Sequence, residues 1–136
     1  MRRMMVFAVM IAGLSAACTR VKVPVVPADQ TVSYADHLEP LVIARCLTCH
    51  TAEEPEAQLV FEAGTGYGQL VGRASTQVPE LMIVAPGDVE ASYLWRKLMH
   101  DVEIGRGMPR TVVGSIKLRD DELELYRRWI EGGAQP

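Results

Sequence analysis

Cys46-Leu47-Thr48-Cys49-His50 carries more chemical information than any other part of this chain. Two cysteines three residues apart put both sulfurs on one side of a helical turn, and the histidine that follows can swing its ring to the same side. This spacing is the attachment signature of a c-type haem, in which two thiolates add to the vinyl groups and the imidazole becomes the proximal iron ligand. A Cys-x-x-Cys pair also serves redox disulfides and half-sites for zinc. A zinc site wants a second ligand pair, and no cysteine lies downstream of Cys49. A thioredoxin-like site wants βαβ patterning, and none surrounds this one. The motif therefore predicts Cys46 and Cys49 as covalent attachment points for one haem c, with His50 on its iron.

The rest of the chain suits one small domain with appendages. It has 136 residues, 49% hydrophobic and 23% charged, which is ordinary for a globular protein. The net charge of −3, with no basic stripe, argues against nucleic acid as a partner. Residues 1–17 read as a secretory signal peptide: Met1-Arg2-Arg3 is a basic start, Met4 to Leu14 an apolar run, and Ser15-Ala16-Ala17 a small-residue cleavage site. Losing Arg2 and Arg3 with that segment takes the formal charge from −3 to −5. Leu14-Ser15-Ala16-Ala17-Cys18 resembles a bacterial lipobox, although the leucine stands one step further from the cysteine than that pattern prefers. Two of the three cysteines belong to the haem motif, so Cys18 is left without a disulfide partner. The expectation is an exported protein lipidated at Cys18, held on the periplasmic or cell-surface side of a bacterial membrane. Residues 18–32, with Pro24 and Pro27 among valines, then form an extended tether, and 33–134 form the domain.

Within that domain Ser33 caps a turn over 34–38, and a helix runs from about 39 or 40 into the haem motif with Pro40 in its first turn. Gly64, Gly66 and Gly68 supply turn chemistry, since the lysine of a phosphate loop is missing. A short helix through Tyr67, Leu70 and Val71 ends at Gly72, and Arg73 beside it is either solvated or within reach of a haem propionate. Asp88 is the expected N-cap of a helix over about 89–100, with Leu94 and Leu98 on its apolar face. Leu81, Ile83, Leu94 and Leu98 are the expected aliphatic wall of the haem pocket. A last helix begins at the acids Asp120-Asp121-Glu122, pairs Leu125 with Trp129 and Tyr126 with Ile130 at i and i+4, and stops at Gly132-Gly133.

Gly105-Arg106-Gly107-Met108-Pro109 supplies a candidate sixth ligand. The two glycines permit close approach of the backbone to a flat ligand, and Pro109 restricts Met108. The Met108 thioether is the favoured distal iron ligand. Met82 and Met99 compete but sit in apolar segments where methionine usually fills core space; His37 and His100 compete by chemistry alone.

These residues together resemble the small mono-haem class I cytochromes c, and most nearly the modules called planctomycete-type cytochrome c domains. The resemblance runs from Tyr34 to Ala134. It rests on Pro40 before Arg45-Cys46-Leu47-Thr48-Cys49-His50, on Pro86-Gly87-Asp88 with Ser92-Tyr93-Leu94, on Met108-Pro109, and on Leu118 with Trp129-Ile130-Glu131-Gly132-Gly133-Ala134. It implies an all-α fold in which the N- and C-terminal helices cross around one covalently bound haem. It also implies Cys46 and Cys49 as thioether donors, His50 as proximal ligand and Met108 as distal ligand. The function expected is electron transfer rather than enzymatic turnover, with single electrons passed between redox protein partners. A haem enzyme or sensor with an open sixth site, or a relay subunit of a larger oxidoreductase, are the alternatives.

Overall fold

Leu125, Tyr126, Trp129 and Ile130 recur at the spacing of a single helical face, and that face is the buried side of α4 (Asp120–Glu131). The computed structural model describes residues 21–111 and 113–136. The signal peptide expected over 1–17 and the lipidation expected at Cys18 lie outside the described residues.

α4 starts where three consecutive acids face its positive end, and Glu122 reaches back to accept the Arg119 N–H at 2.9 Å. It stops at a Schellman motif. Gly133, at φ +89°, donates to the Ile130 carbonyl at 3.0 Å, and Ala134 donates to that of Trp129 at 2.8 Å. The chain beyond folds back, so that the Trp129 indole N–H donates to the Gln135 carbonyl at 2.8 Å and the Tyr34 N–H to the same oxygen at 2.9 Å.

Against this face pack a wide turn at Tyr34–Leu38 and helix α1 (Glu39–Cys46). Ser33 caps the turn by accepting from the Asp36 N–H. Pro40 has no N–H to offer the carbonyl four residues back. The turn instead closes five residues apart, from the Glu39 N–H to the Tyr34 carbonyl, before the regular helix begins. Tyr34 lies 5.7 Å from Trp129 between ring centroids, while Leu38, Leu41 and Val42 are buried alongside. Gly66 opens the short helix α2 (Gly66–Leu70) directly above Tyr34, where a Cβ would meet the phenol oxygen. The Tyr67 hydroxyl donates to the Ala134 carbonyl at 3.1 Å.

The remaining helix, α3 (Tyr93–Met99), is shorter than the 89–100 its periodicity suggests. Asp88 does not cap it; its carboxylate accepts from the Ala91 N–H in a separate turn. The first free N–H groups of α3 are taken by backbone instead. Tyr93 donates to the Met82 carbonyl at 3.0 Å and Leu94 to that of Ile83 at 2.8 Å. The buried Ser92 hydroxyl donates to the Asp88 carbonyl and so holds 88–92 as a turn rather than a helical one.

Among the described residues regular structure is helical apart from isolated bridges and an antiparallel ribbon, β1 (Arg110–Thr111) with β2 (Gly114–Ser115). No helix among the described residues is long and apolar enough to cross a membrane.

The tether expected over 18–32 differs in its described part. Val26 and Val32 are buried, Val21 and Val23 pack partly on the core, and no regular structure forms. Arg128 on α4 donates to the carbonyls of Val26 (2.7 Å), Pro27 (2.7 Å) and Gln30 (3.0 Å). Prolines leave carbonyls without local donors, and one guanidinium gathers three of them.

Candidate functional site

α1 ends at Cys46 because the backbone there leaves helical geometry (φ −122°, ψ −31°), and a tight 3₁₀ turn, Leu47–Cys49, follows. Cys46 faces a cavity of about 450 Å³, within the ~300–1,000 Å³ usual for cofactor sites. Burial pushes its thiol up to about 12, despite the opposing charge of Arg45. Cys49 is exposed and does not line the cavity, so the two sulfurs do not share one wall as their spacing suggests. The cause is the change of helix type between them.

His50 is buried on the cavity wall. The exit loop turns back so that the Phe61 N–H donates to the His50 carbonyl at 2.8 Å, and the Phe61 ring packs 4.9 Å from the imidazole. Burial holds the His50 ring below its ordinary pKa, opposed by the nearby backbone of Glu56 and Leu59. The ring is therefore neutral at neutral pH, which is the metal-ligating form. Its Nδ1 is the one fully buried side-chain nitrogen or oxygen among the described residues that has no hydrogen-bond partner.

From the opposite end of the sequence, Met108 reaches the same cavity, half-buried. Its loop is pinned to the last turn of α3. The Met108 N–H donates to the Lys97 carbonyl at 2.8 Å, and the Nε2 of His100 donates to the Met108 carbonyl at 3.2 Å. Gly107 lets the loop press on His100, since a Cβ there would sit 2.4 Å from the ring. Gly105 (φ +79°) makes room in the same way for the Lys97 amine. The glycines expected to admit a flat ligand thus serve first to seat this loop on α3. The Met108–Pro109 peptide is cis.

Of the three histidines and the three methionines among the described residues, only His50 and Met108 line the cavity. Met82 is exposed, and Met99 is half-buried off the wall. His37 accepts the Ser33 N–H at 3.0 Å, and His100 is occupied by the Met108 carbonyl. Ile83, Leu94 and Leu98 form part of the apolar wall with Leu59, Phe61 and Leu70, whereas Leu81 stands off it. Arg73 is also off the wall, donating to Gln69 on α2.

Two features of the site are not visible in the sequence pattern. Arg45, one residue before the motif, donates twice to Glu122 on α4, at 2.7 and 3.0 Å, and Glu122 is 1% exposed. This charge-assisted pair ties the start of the motif to the far helix. Lys97 lies buried on the cavity wall beside Tyr93, one helical turn before it.

Among the described residues no three His, Cys, Asp or Glu side chains converge as a metal-binding group. The wall instead offers one imidazole, one thioether and one thiol in apolar surroundings. That donor set would fit a cofactor that brings most of the ligands of its own metal and takes the remainder from the protein. Comparison of the chain with family models, curated proteins and solved structures found no match.

Proposed function

We propose that this protein is an exported, lipid-anchored mono-haem c-type cytochrome that carries single electrons between redox protein partners. One observation carries the reading. Cys46 and His50 of the attachment motif and Met108, fifty-eight positions beyond His50, line a single mainly apolar cavity, and no other described histidine or methionine does. The resemblance to class I cytochromes c, of the planctomycete-type module, belongs to the same proposal, as do membrane attachment through Cys18 and a location outside the cytoplasm.

In this reading haem c supplies a one-electron ferric/ferrous couple at the site. Cys46 offers its sulfur from the cavity wall, and Cys49 does so once the 47–49 turn presents it inward. The neutral His50 ring has a lone pair for the proximal position without first losing a proton. Met108 provides a soft thioether from a loop that α3 holds at both its amide and its carbonyl. Phe61, Leu70, Ile83, Leu94 and Leu98 keep water out, and a dry site with a thioether ligand disfavours the extra positive charge of the ferric state. The potential is therefore expected to lie above that of a bis-histidine site.

The test is Met108→Ala in chain matured by an export-competent host. Haem stays attached, the low-spin spectrum turns high-spin or water-ligated, and the midpoint potential falls. An unchanged low-spin spectrum would contradict Met108 as ligand. Rapid carbon monoxide binding by the reduced wild type would contradict a closed carrier site and favour a sensor or enzyme.

A further inference from the structure

Lys97 is 7% exposed, yet none of the ion pairs among the described residues includes it. Buried ammonium groups are normally paired, because an isolated charge in a poorly solvated site is costly. Here the amine donates to the Arg106 carbonyl at 3.1 Å and lies 5.0 Å from the centroid of the Tyr93 ring. Among the described residues that carbonyl is its one hydrogen-bond acceptor, out of the three an ammonium can use. Glu56 is the only carboxylate on the cavity wall, and it does not pair with Lys97. The charges nearby are of the same sign: Arg106, whose carbonyl takes the Lys97 hydrogen bond, and Arg110, whose charge acts on Lys97, also line the cavity, and neither joins an ion pair among the described residues. Burial, and secondarily Arg110, lower the Lys97 pKa, as expected for a cation lacking a counter-charge.

The surrounding groups are arranged to keep the amine there. Gly105 leaves the space that a Cβ, 2.4 Å from Nζ, would take. The Tyr93 hydroxyl donates to the Ile104 carbonyl at 2.7 Å, which fixes the loop behind it.

We infer that this end of the cavity, with Lys97 at its centre and Arg106 and Arg110 at its rim, is a receptor for a carboxylate carried by the cavity's occupant. Resting on the haem reading above, that carboxylate is a porphyrin propionate. Lys97 takes a part that the sequence left open to Arg73, whose guanidinium donates to Gln69 instead. The occupant supplies the counter-charge that the protein omits, so Lys97 orients the macrocycle edge by charge as the thioethers do by bonds.

The experiment uses the full chain matured with haem. In the ferrous wild type, nuclear Overhauser contacts are expected between the Lys97 side chain and the propionate methylene protons. Lys97→Met keeps covalent haem and the low-spin spectrum. At a poise where the wild type is half reduced, its ratio of oxidised to reduced protein rises about tenfold, the effect of one unit charge over roughly 10 Å at an effective dielectric near 20. Lys97→Arg restores most of that ratio. The inference is overturned if Lys97 contacts only ring methyl or bridge protons, or if the ratio is unchanged in Lys97→Met. It is equally overturned if the low-spin spectrum is lost in both variants, since Lys97 would then serve only to hold the Arg106 carbonyl and the Met108 loop. Wild-type chain that binds no haem contradicts the functional proposal itself, a separate outcome.

Discussion

The half of the molecule built from the 34–46 segment, α4 and the C-terminal tail differs in kind from the half built from α3 and the 101–117 loop. In the first, Trp129 and Ile130 are fully buried, the indole and the Tyr34 and Tyr67 groups have acceptors, and the buried Glu122 has two guanidinium partners. In the second, a buried lysine has no counter-charge, the wall surrounds open volume, and Ile104 and Ile116 are exposed. His50, on the seam between them, keeps a buried nitrogen unpartnered. A polypeptide can complete a core by itself. Where it leaves donors, cations and apolar wall unmatched together, the pattern has the shape of something else that belongs there.

That contrast is open to breakage, first in the completed half. Trp129→Ala removes the largest fully buried side chain and should cost about 3–5 kcal/mol. Denaturant unfolding of the haem-loaded chain measures it; a loss below about 1 kcal/mol would mean that this half is not a tight core. Arg45→Met should cost about 2–3 kcal/mol, because it strips a partner from a carboxylate that is 1% exposed. Glu122→Gln should cost less, about 1 kcal/mol, since the Arg45 side chain left behind is 33% exposed and water can take up its charge. The reverse order would place the critical burial on the arginine. Arg128→Ala falls below Arg45→Met, at about 1–2 kcal/mol for three hydrogen bonds to carbonyls. It should be accompanied by faster protease cutting within 26–31, with the visible spectrum of the haem unchanged. A spectral change would show that the 21–32 segment and the cavity are coupled, against the contrast between the two halves.

What could be read from the sequence was what is local. The Cys46–His50 spacing, Met108 beside Pro109, the acids that open α4 and the glycines that close it each act within a turn or two. Pairings across the chain escaped. Arg45 and Glu122 are 77 positions apart, and nothing in either neighbourhood names the other. Arg128 stands in the last turns of α4, where a cation suits the helix dipole, and nothing local shows that its guanidinium is spent on the carbonyls of Val26, Pro27 and Gln30. The periodicity of 89–100 ran past the true start of α3 because the acceptors for its first N–H groups lie on residues 82–83, on a separate segment. Lys97 fell between apolar positions and carried no signal, since burial and the lack of a counter-charge are properties of the folded surroundings.

Full-length chain exported from a host that attaches haem should be denatured, stripped of non-covalent pigment and weighed intact. The account predicts a mass increased by one haem, with Cys46 and Cys49 both protected from thiol alkylation. A colourless chain with both thiols free to react would contradict it.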